Sequence, residues 1–191
     1  DNNSNLALNS THSDQYVLAR CSNQKSLMTP TTFLEDKSFH YTQESMAQDL
    51  IALLPLTYEM SVMDAGSGKN KVWAKNLPCR HIEECELDDG DNFYERTDIV
   101  DWVVGNPPYH ESWKFTEKAI TLAEKGVAWL LNNQALNSHF TPARLEKLSQ
   151  AGWNYTKIHI VADKRWFGRY YFVVLEKRKA KCEITWNKKT Y

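Results

Sequence analysis

The chain alternates short apolar runs with segments in which apolar residues recur at helical spacing. The apolar runs predict strands at residues 61–64, 79–87, 102–104, 127–131, 157–161, 170–176 and 182–186. The helical spacing predicts helices at residues 44–54, 71–76, 113–124 and 141–150. Because strands alternate with helices, we predict an α/β fold. Its sheet should be doubly wound, mostly parallel and seven-stranded, with one antiparallel late strand.

Local signals set the expected helix boundaries. Thr42 is a plausible N-cap for the first helix, and Pro55 should end it. Gly126 is expected to end the helix at 113–124, and Pro142 suits the first turn of the helix at 141–150. Between the strand at 127–131 and that last helix, the pattern predicts a loop.

Composition divides the chain into a polar tail and one domain. Residues 1–30 are rich in Asn, Ser, Gln and Thr and lack periodicity, so we expect a mobile polar tail. Residues 31–191 are expected to form a single domain with a substantial core. Its apolar fraction of 42%, with seven Trp, nine Tyr and seven Phe, excludes a disordered polymer.

Charge and cysteine usage narrow the class of protein further. The net charge of −1 hides an acidic run at residues 83–101 and a basic excess from Lys157 onward. The basic end suits a phosphate backbone or a solvated face. The four cysteines form no Cys-x-x-Cys pair, so we expect reduced thiols in a cytoplasmic setting and no metal. No apolar run approaches the length of a membrane span, so we expect no membrane partner.

The most informative stretch is the strand at residues 102–104 with the tetrapeptide that follows Gly105. Pro107 and Pro108 fix φ and cannot join a ladder, so the chain turns a stiff corner at the strand's carboxyl end. The corner presents the Asn106 amide, backbone carbonyls and the aromatic face of Tyr109. A proline turn that merely closes a strand is the structural alternative.

This corner suits methyl transfer to a planar exocyclic amine, whose delocalised lone pair makes it a poor nucleophile. The Asn106 side-chain oxygen and the Pro107 carbonyl can accept the two N–H groups and favour a pyramidal nitrogen. Tyr109 can stack on the planar group. Catalysis would then rest on positioning and electrostatics, without a covalent intermediate.

A second motif lies upstream, where residues 61–70 predict a strand, a glycine turn and a helix. Gly66 and Gly68 allow a ligand to approach the backbone closely, and Asp64 at the strand's end can hold an ammonium group or a water. A phosphate-binding P-loop fits badly because Met63 stands where it requires glycine and Asn70 where it requires Ser or Thr.

The next predicted strand ends in an acid, which is Glu86, or Glu84 if the register differs. Acids at this place bind a ribose diol in dinucleotide-binding folds. A surface glutamate in an acidic run is the structural alternative. An adenine ring could lie against Phe93 in the turn that follows.

Late in the chain, residues 163–170 combine cations with large aromatics on a loop at the carboxyl edge of the sheet. This loop could stack a flipped base and grip phosphates, or it could be a hydrophobic plug. Its candidate substrate-binding residues are Arg165, Trp166, Phe167 and Arg169.

The residues from Phe39 to about Lys177 resemble a small, single-domain, adenine-specific amino-methyltransferase of the Asn-Pro-Pro-Tyr kind, found in bacteria and phages. The resemblance implies a Rossmann-like fold and S-adenosylmethionine as cofactor. It places Trp166 or Phe167 on the target base and the catalytic motif on Asn106, Pro107, Pro108 and Tyr109. The cofactor-binding residues that it implies are Tyr41, Thr42, Asp64, Ala65, Gly66, Gly68, Glu86, Asp91 or Asn92, and Phe93, together with Asn106.

The sequence departs from this family at three positions. Gln43 replaces a proline, Asn70 replaces a third glycine, and Asn92 stands where an aspartate would take the cofactor's adenine amine. Little chain remains for a separate target-recognition domain, so we expect weak sequence preference or a partner protein that supplies recognition.

The expected activity is therefore methyl transfer to the N6 amine of adenine in nucleic acid, with DNA favoured over RNA. The same motif also serves enzymes that methylate cytosine N4, guanine N2 or a protein glutamine. A non-catalytic subunit that binds nucleic acid for a partner methyltransferase is the alternative of a different class. A bacterial or phage-infected cell is the expected setting.

Overall fold

The computed structural model describes residues 42–164, 168–178 and 182–190, and only the backbone of 183–190. Two 3₁₀ turns span Leu87–Asp89 and Phe93–Glu95. The helices are α1 (Glu44–Ile51), α2 (Val72–Asn76), α3 (Ser112–Leu122), α4 (Asn133–His139) and α5 (Pro142–Gln150). The strands are β1 (Ser61–Ala65), β2 (His81–Cys85), β3 (Val100–Gly105), β4 (Ala123–Asn132), β5 (Trp153–Ala162), β6 (Tyr170–Lys177) and β7 (Glu183–Thr190).

The strands lie in one sheet in the order β2-β1-β3-β4-β6-β5-β7. Strand β6 runs antiparallel to both of its neighbours, β4 and β5, and the other adjacent pairs are parallel. The prediction of a mostly parallel α/β sheet with an antiparallel late strand is therefore confirmed. The parallel strands β1, β3 and β4 direct their carboxyl ends to one edge, where α/β folds bind ligands.

Helices cover both faces of the sheet, which confirms the doubly wound arrangement. On one face, α1 and α2 pack through Met46, Leu50 and Trp73. On the other, α3 and α5 pack through residues such as Phe115 and Leu148. Side chains alternate between the faces along the central strands, so these strands are buried on both sides and read as continuous apolar runs.

The first helix is shorter than predicted and is capped differently. It ends at Ile51, and turns carry the chain to Leu54. Its N-cap is Gln43, whose carbonyl accepts from Ala47 N, so the prediction of Thr42 as the N-cap is wrong. Among the described residues no side chain caps the start of this helix, and burial of its apolar stripe stabilises it instead.

Gly126 does not end a helix. Helix α3 ends at Leu122, and Gly126 lies inside β4 beside Trp102 of β3. A Cβ at Gly126 would lie 2.3 Å from Cζ3 of the Trp102 indole. The glycine is required by this close packing and not by a helix terminus.

The segment predicted as a loop contains helix α4. The Asn132 side chain caps it by accepting from Ala135 N at 2.8 Å. The prediction for the next helix is confirmed, because α5 begins with Pro142 in its first turn. No helix in the described part of the chain combines the length and apolarity that a membrane span needs.

Gly126→Ala should destabilise the fold by about 1–3 kcal/mol, because the added methyl group overpacks the core against Trp102. Urea denaturation would measure the change in the free energy of unfolding. Trp102→Leu opens space at the same contact. The double variant should therefore be more stable than the sum of the single losses predicts. Additive losses would show that the contact does not explain the glycine.

Candidate active site

The candidate site lies where the carboxyl ends of β1 and β3 meet. Asp64 is paired in register with Val104, which places Ala65 beside Gly105. Gly105 has φ +152°, and a Cβ built on it would lie 2.5 Å from the Ala65 carbonyl oxygen. Only glycine permits this approach. It brings the turn after β1 next to the Asn106–Tyr109 corner after β3.

The turn after β1 is held by the end of β2. Gly66 and Gly68 both have positive φ, of +76° and +63°. The amides of Gly66 and Ser67 donate to the Cys85 carbonyl at 2.9 and 3.1 Å. The Gly68 amide donates to Glu86 Oε2 at 2.6 Å. The tight turn that the sequence predicts is present, and its amides face the end of β2.

Of the two acids at the end of β2, Glu86 lies at the glycine turn. Glu84 forms an ion pair with Lys71 on the neighbouring segment. Leu87, which the sequence analysis did not select, follows Glu86 directly and is 69% exposed. This exposed apolar side chain beside the Glu86 carboxylate offers a surface for a heterocyclic ring. Its signal in the sequence was a lone leucine within the acidic run.

Asp64 is fully buried beneath the turn. Its Oδ2 accepts from Ala74 N of α2 at 3.1 Å, whereas Oδ1 has no hydrogen-bond partner among the described residues. Burial raises the Asp64 pKa to about 7; the hydrogen bond from Ala74 opposes this shift, and the charges of Glu84 and Glu86 add to it. A carboxyl with this pKa is partly protonated at neutral pH.

The residues predicted to clamp an adenine lie in the segment between β2 and β3. Phe93 is 4% exposed, and its ring stacks on Phe115 with centroids 4.8 Å apart. Asn92 caps the second 3₁₀ turn by accepting from Tyr94 N at 3.1 Å. Asp91 pairs with Arg96. These contacts fix the segment, and the Phe93 ring itself packs in the core.

At the corner after β3, Asn106 and Tyr109 are partly buried, Pro107 is buried and Pro108 is exposed. The Tyr109 ring lies 6.5 Å from that of Tyr170 at the start of β6. Burial raises the pKa of the Tyr109 hydroxyl above its usual range. The Tyr170 hydroxyl adds to this shift, and hydrogen bonding with the Asn106 side chain opposes it. Tyr109 therefore stays neutral.

Several predicted site residues are placed only in part. Tyr41, Arg165, Trp166 and Phe167 lie outside the described residues. Arg169 is exposed and directly precedes β6, whose first residue pairs with Asn132 at the carboxyl end of β4. This places the Arg169 position at the same sheet edge as the corner. The remaining position, Thr42, is partly buried just before α1.

Behind the corner runs a chain of buried polar side chains that the sequence analysis missed. Ser112 Oγ donates to the Tyr109 carbonyl at 3.1 Å, and His139 Nε2 lies 3.0 Å from Ser112 Oγ. His139 Nδ1 lies 2.7 Å from the Tyr155 hydroxyl. Burial, together with a smaller contribution from the nearby Arg144 charge, lowers the His139 pKa to about 4. No local pattern marks these residues, because they come from three separate elements.

The fold is that of class I S-adenosylmethionine-dependent methyltransferases. No protein-family model matches the sequence, and a search of curated proteins finds no match. The likeness comes from solved structures alone. At the identities found, it establishes the fold.

Three of these solved structures illustrate the range of proteins that share the fold. A candidate RNA methyltransferase from Pyrococcus horikoshii is 16% identical with a TM-score of 0.58, over 75% of this chain and 91% of that one. A dimethyladenosine transferase from Plasmodium falciparum is 15% identical with a TM-score of 0.55, over 71% of this chain and 62% of that one. Magnesium protoporphyrin IX methyltransferase from Synechocystis, with S-adenosylmethionine bound, is 12% identical with a TM-score of 0.54, over 91% of this chain and all of that one.

Asp64→Asn should change how stability depends on pH. The folded state keeps the Asp64 proton up to about pH 7, whereas the unfolded chain releases it near 3.8. The wild type therefore loses stability through this group as pH rises across that window. The free energy of unfolding of the variant relative to wild type should rise by up to about 1.4 kcal/mol per pH unit.

Urea denaturation at several pH values between 4 and 7 would measure this difference. His139 contributes the opposite slope below about pH 6.5, but it does so in both proteins and cancels in the comparison. Asp88→Asn, which changes an exposed carboxyl, is the control. A difference between Asp64→Asn and wild type that stays flat with pH would contradict the prediction.

Proposed function

We propose that this protein transfers a methyl group from S-adenosylmethionine to the N6 amine of adenine in nucleic acid, with DNA favoured as the substrate. One observation carries the proposal. The close approach of Gly105 to Ala65 sets the Asn-Pro-Pro-Tyr corner directly beside the glycine turn. A donor bound at the turn and an amine bound at the corner would then be neighbours.

The residues at the turn fit the cofactor. S-adenosylmethionine carries an ammonium group, a ribose diol and an adenine, and it supplies an electrophilic methyl group when bound. Glu86, placed at the turn by its bond to Gly68 N, suits the ribose diol. The buried Oδ1 of Asp64, which has no hydrogen-bond partner within the described part of the chain, offers an acceptor beneath the turn. Leu87 provides an exposed apolar surface for the adenine.

At the corner, the Asn106 side-chain oxygen and the Pro107 carbonyl accept the two N–H groups of the target amine. Holding both protons favours a pyramidal nitrogen whose lone pair points toward the turn. The nitrogen would gain the methyl group as the bond between that methyl and the donor's sulfur breaks, leaving the donor as a neutral thioether, and it would release one proton to solvent water. Tyr109 stacks on the base and remains neutral, because burial raises its pKa. Positioning and electrostatics supply the catalysis.

An adenine stacked in a duplex cannot reach Asn106, so the base must be flipped out or presented on a single strand. Tyr109 and Tyr170 place two aromatic rings at the corner, and Arg169 lies at the same edge with its charge exposed. We assign Arg169 to the substrate and not to the cofactor, and the same assignment is proposed for Arg165 with Trp166 or Phe167, which lie outside the described residues.

RNA is the second candidate substrate. The solved structures with this fold include a candidate RNA methyltransferase and a dimethyladenosine transferase, and this favours RNA adenine over the other amines. Cytosine N4, guanine N2 and protein glutamine remain the further enzyme alternatives. Incubation with labelled cofactor and separate DNA, RNA and protein pools would identify the substrate. Calorimetry that detects no cofactor binding would instead support a non-catalytic subunit that serves a partner protein.

Asn106→Ala should lower turnover on the order of 10²–10³-fold, because it removes the side-chain acceptor that holds the target amine. Affinity for S-adenosylmethionine should be largely unchanged, since the turn and Glu86 are intact. Labelled methyl transfer and calorimetry would measure the two quantities. Asn154→Ala is the matched control, because Asn154 is the second residue of β5 and lies at the opposite edge of the sheet. Near wild-type turnover in Asn106→Ala would refute the mechanism.

Glu86→Ala should raise the dissociation constant for S-adenosylmethionine roughly tenfold or more, because a hydrogen bond to a charged group contributes about 1.5–3 kcal/mol. Glu84→Ala should have little effect, since Glu84 pairs with Lys71. Calorimetric titration of both variants with S-adenosylmethionine would measure the two dissociation constants. A loss of affinity in Glu84→Ala alone would transfer the ribose role to Glu84.

A further inference from the structure

The buried chain from Tyr155 through His139 and Ser112 ends on the backbone of Tyr109, the aromatic residue of the candidate catalytic corner. We propose that His139 is a positioning residue for the corner and that it acts through Ser112. The inference rests on the proposed methyl transfer, because it assigns His139 a role in that same site.

Hydrogen-bond chemistry fixes the direction of the chain. The Tyr109 carbonyl can only accept, so the single Ser112 hydroxyl proton is used there. Ser112 Oγ must then accept from His139 Nε2–H at 3.0 Å. This leaves Nδ1 as an acceptor for the Tyr155 hydroxyl at 2.7 Å. The neutral Nε2–H tautomer is therefore the one that completes every bond.

The surroundings keep the chain dry and ordered. Ser112 and His139 are at most 1% exposed, and Tyr155 is 7% exposed. The Trp113 ring packs edge-on to His139 with centroids 5.7 Å apart, and Arg144 lies over Trp113 at 4.7 Å. A buried polar chain costs desolvation that apolar side chains at these positions would avoid.

What this buried hydrogen-bonded chain provides is a fixed position for the Tyr109 backbone, where the chain ends. The carbonyl and the side chain of Tyr109 are attached to the same Cα. A hydrogen bond that holds this carbonyl therefore also holds the backbone that orients the ring. A second bond, from Glu111 N to the Pro108 carbonyl at 2.9 Å, holds the preceding peptide. Small errors in the placement of a reacting group cost up to about 10²-fold in rate. Rigid positioning at this residue is therefore a function for the buried chain.

Two variants of His139 separate positioning from simple filling of space. In His139→Gln the amide nitrogen can replace Nε2 and donate to Ser112. In His139→Asn the shorter amide reaches only the Nδ1 position, facing Tyr155. We expect kcat to be about tenfold lower or more in His139→Asn than in His139→Gln, with similar affinity for S-adenosylmethionine. In a Ser112→Ala background this difference between Gln and Asn should disappear.

A second readout does not depend on turnover. Tyr109–His110 is the sole Tyr-His pair in the sequence. Labelling of the full chain with ¹³C-carbonyl tyrosine and ¹⁵N histidine therefore gives one Tyr109 carbonyl signal in a correlation spectrum. This signal should shift in Ser112→Ala and His139→Asn but stay near its wild-type position in His139→Gln. Ser138→Ala is the control, since its hydroxyl donates to Ala135 O within α4.

The two readouts distinguish failure of the inference from failure of the proposed function. A wild-type protein that methylates no pool refutes the proposed function, and a shift shared equally by the Gln and Asn variants refutes the positioning role. If a His139 variant does not fold, Ser112→Ala decides. A moved carbonyl signal with lower kcat supports the inference, and wild-type kcat overturns it.

Discussion

The arrangement at the candidate site depends on one contact, the approach of the Gly105 backbone to the Ala65 carbonyl. A side chain at Gly105 would need to occupy space 2.5 Å from that oxygen, so β1 and β3 stay adjacent up to their last residues only because this position is glycine. Methyl transfer requires the reacting atoms to lie about 3–3.5 Å apart. In this fold, backbone packing sets the distance between the two loops, and side chains refine it.

The strands were the most predictable part of the fold, because runs of β-branched residues such as Val103–Val104 are typical of buried strands. The boundary between α3 and β4 was not predictable in the same way. Residues 123–125 continue the helical spacing of Leu122, and Gly126 then resembles a helix terminator. What makes Gly126 a strand residue is the Trp102 indole on the neighbouring strand. Local periodicity carries no information about that contact.

The candidate site also contains features that the local sequence predicts and features that depend on contacts between distant residues. The Asn106–Tyr109 corner and the glycine turn are contiguous motifs whose conformation is set by proline and glycine, so the sequence was enough to locate them. The polar chain behind the corner joins residues 27 and 16 positions apart, and no spacing rule connects them. The burial of Phe93 was also not predictable from the sequence, since an aromatic residue after a turn can either contact a ligand or pack in the core. Only its stacking on Phe115 shows the core contact.

A common physical pattern unites the two halves of the site. On the proposed cofactor side, Asp64 and Glu86 accept from the backbone amides of Ala74 and Gly68. On the proposed substrate side, Ser112 donates to the Tyr109 carbonyl. Glu86 and Ser112 each hold the backbone of a loop, whereas Asp64 holds the backbone of α2. Burial sets the protonation state of Asp64, and also that of His139 behind Ser112. The loops therefore gain their order from the interior, which leaves the partly exposed Asn106 and the exposed Leu87 side chains to contact ligands.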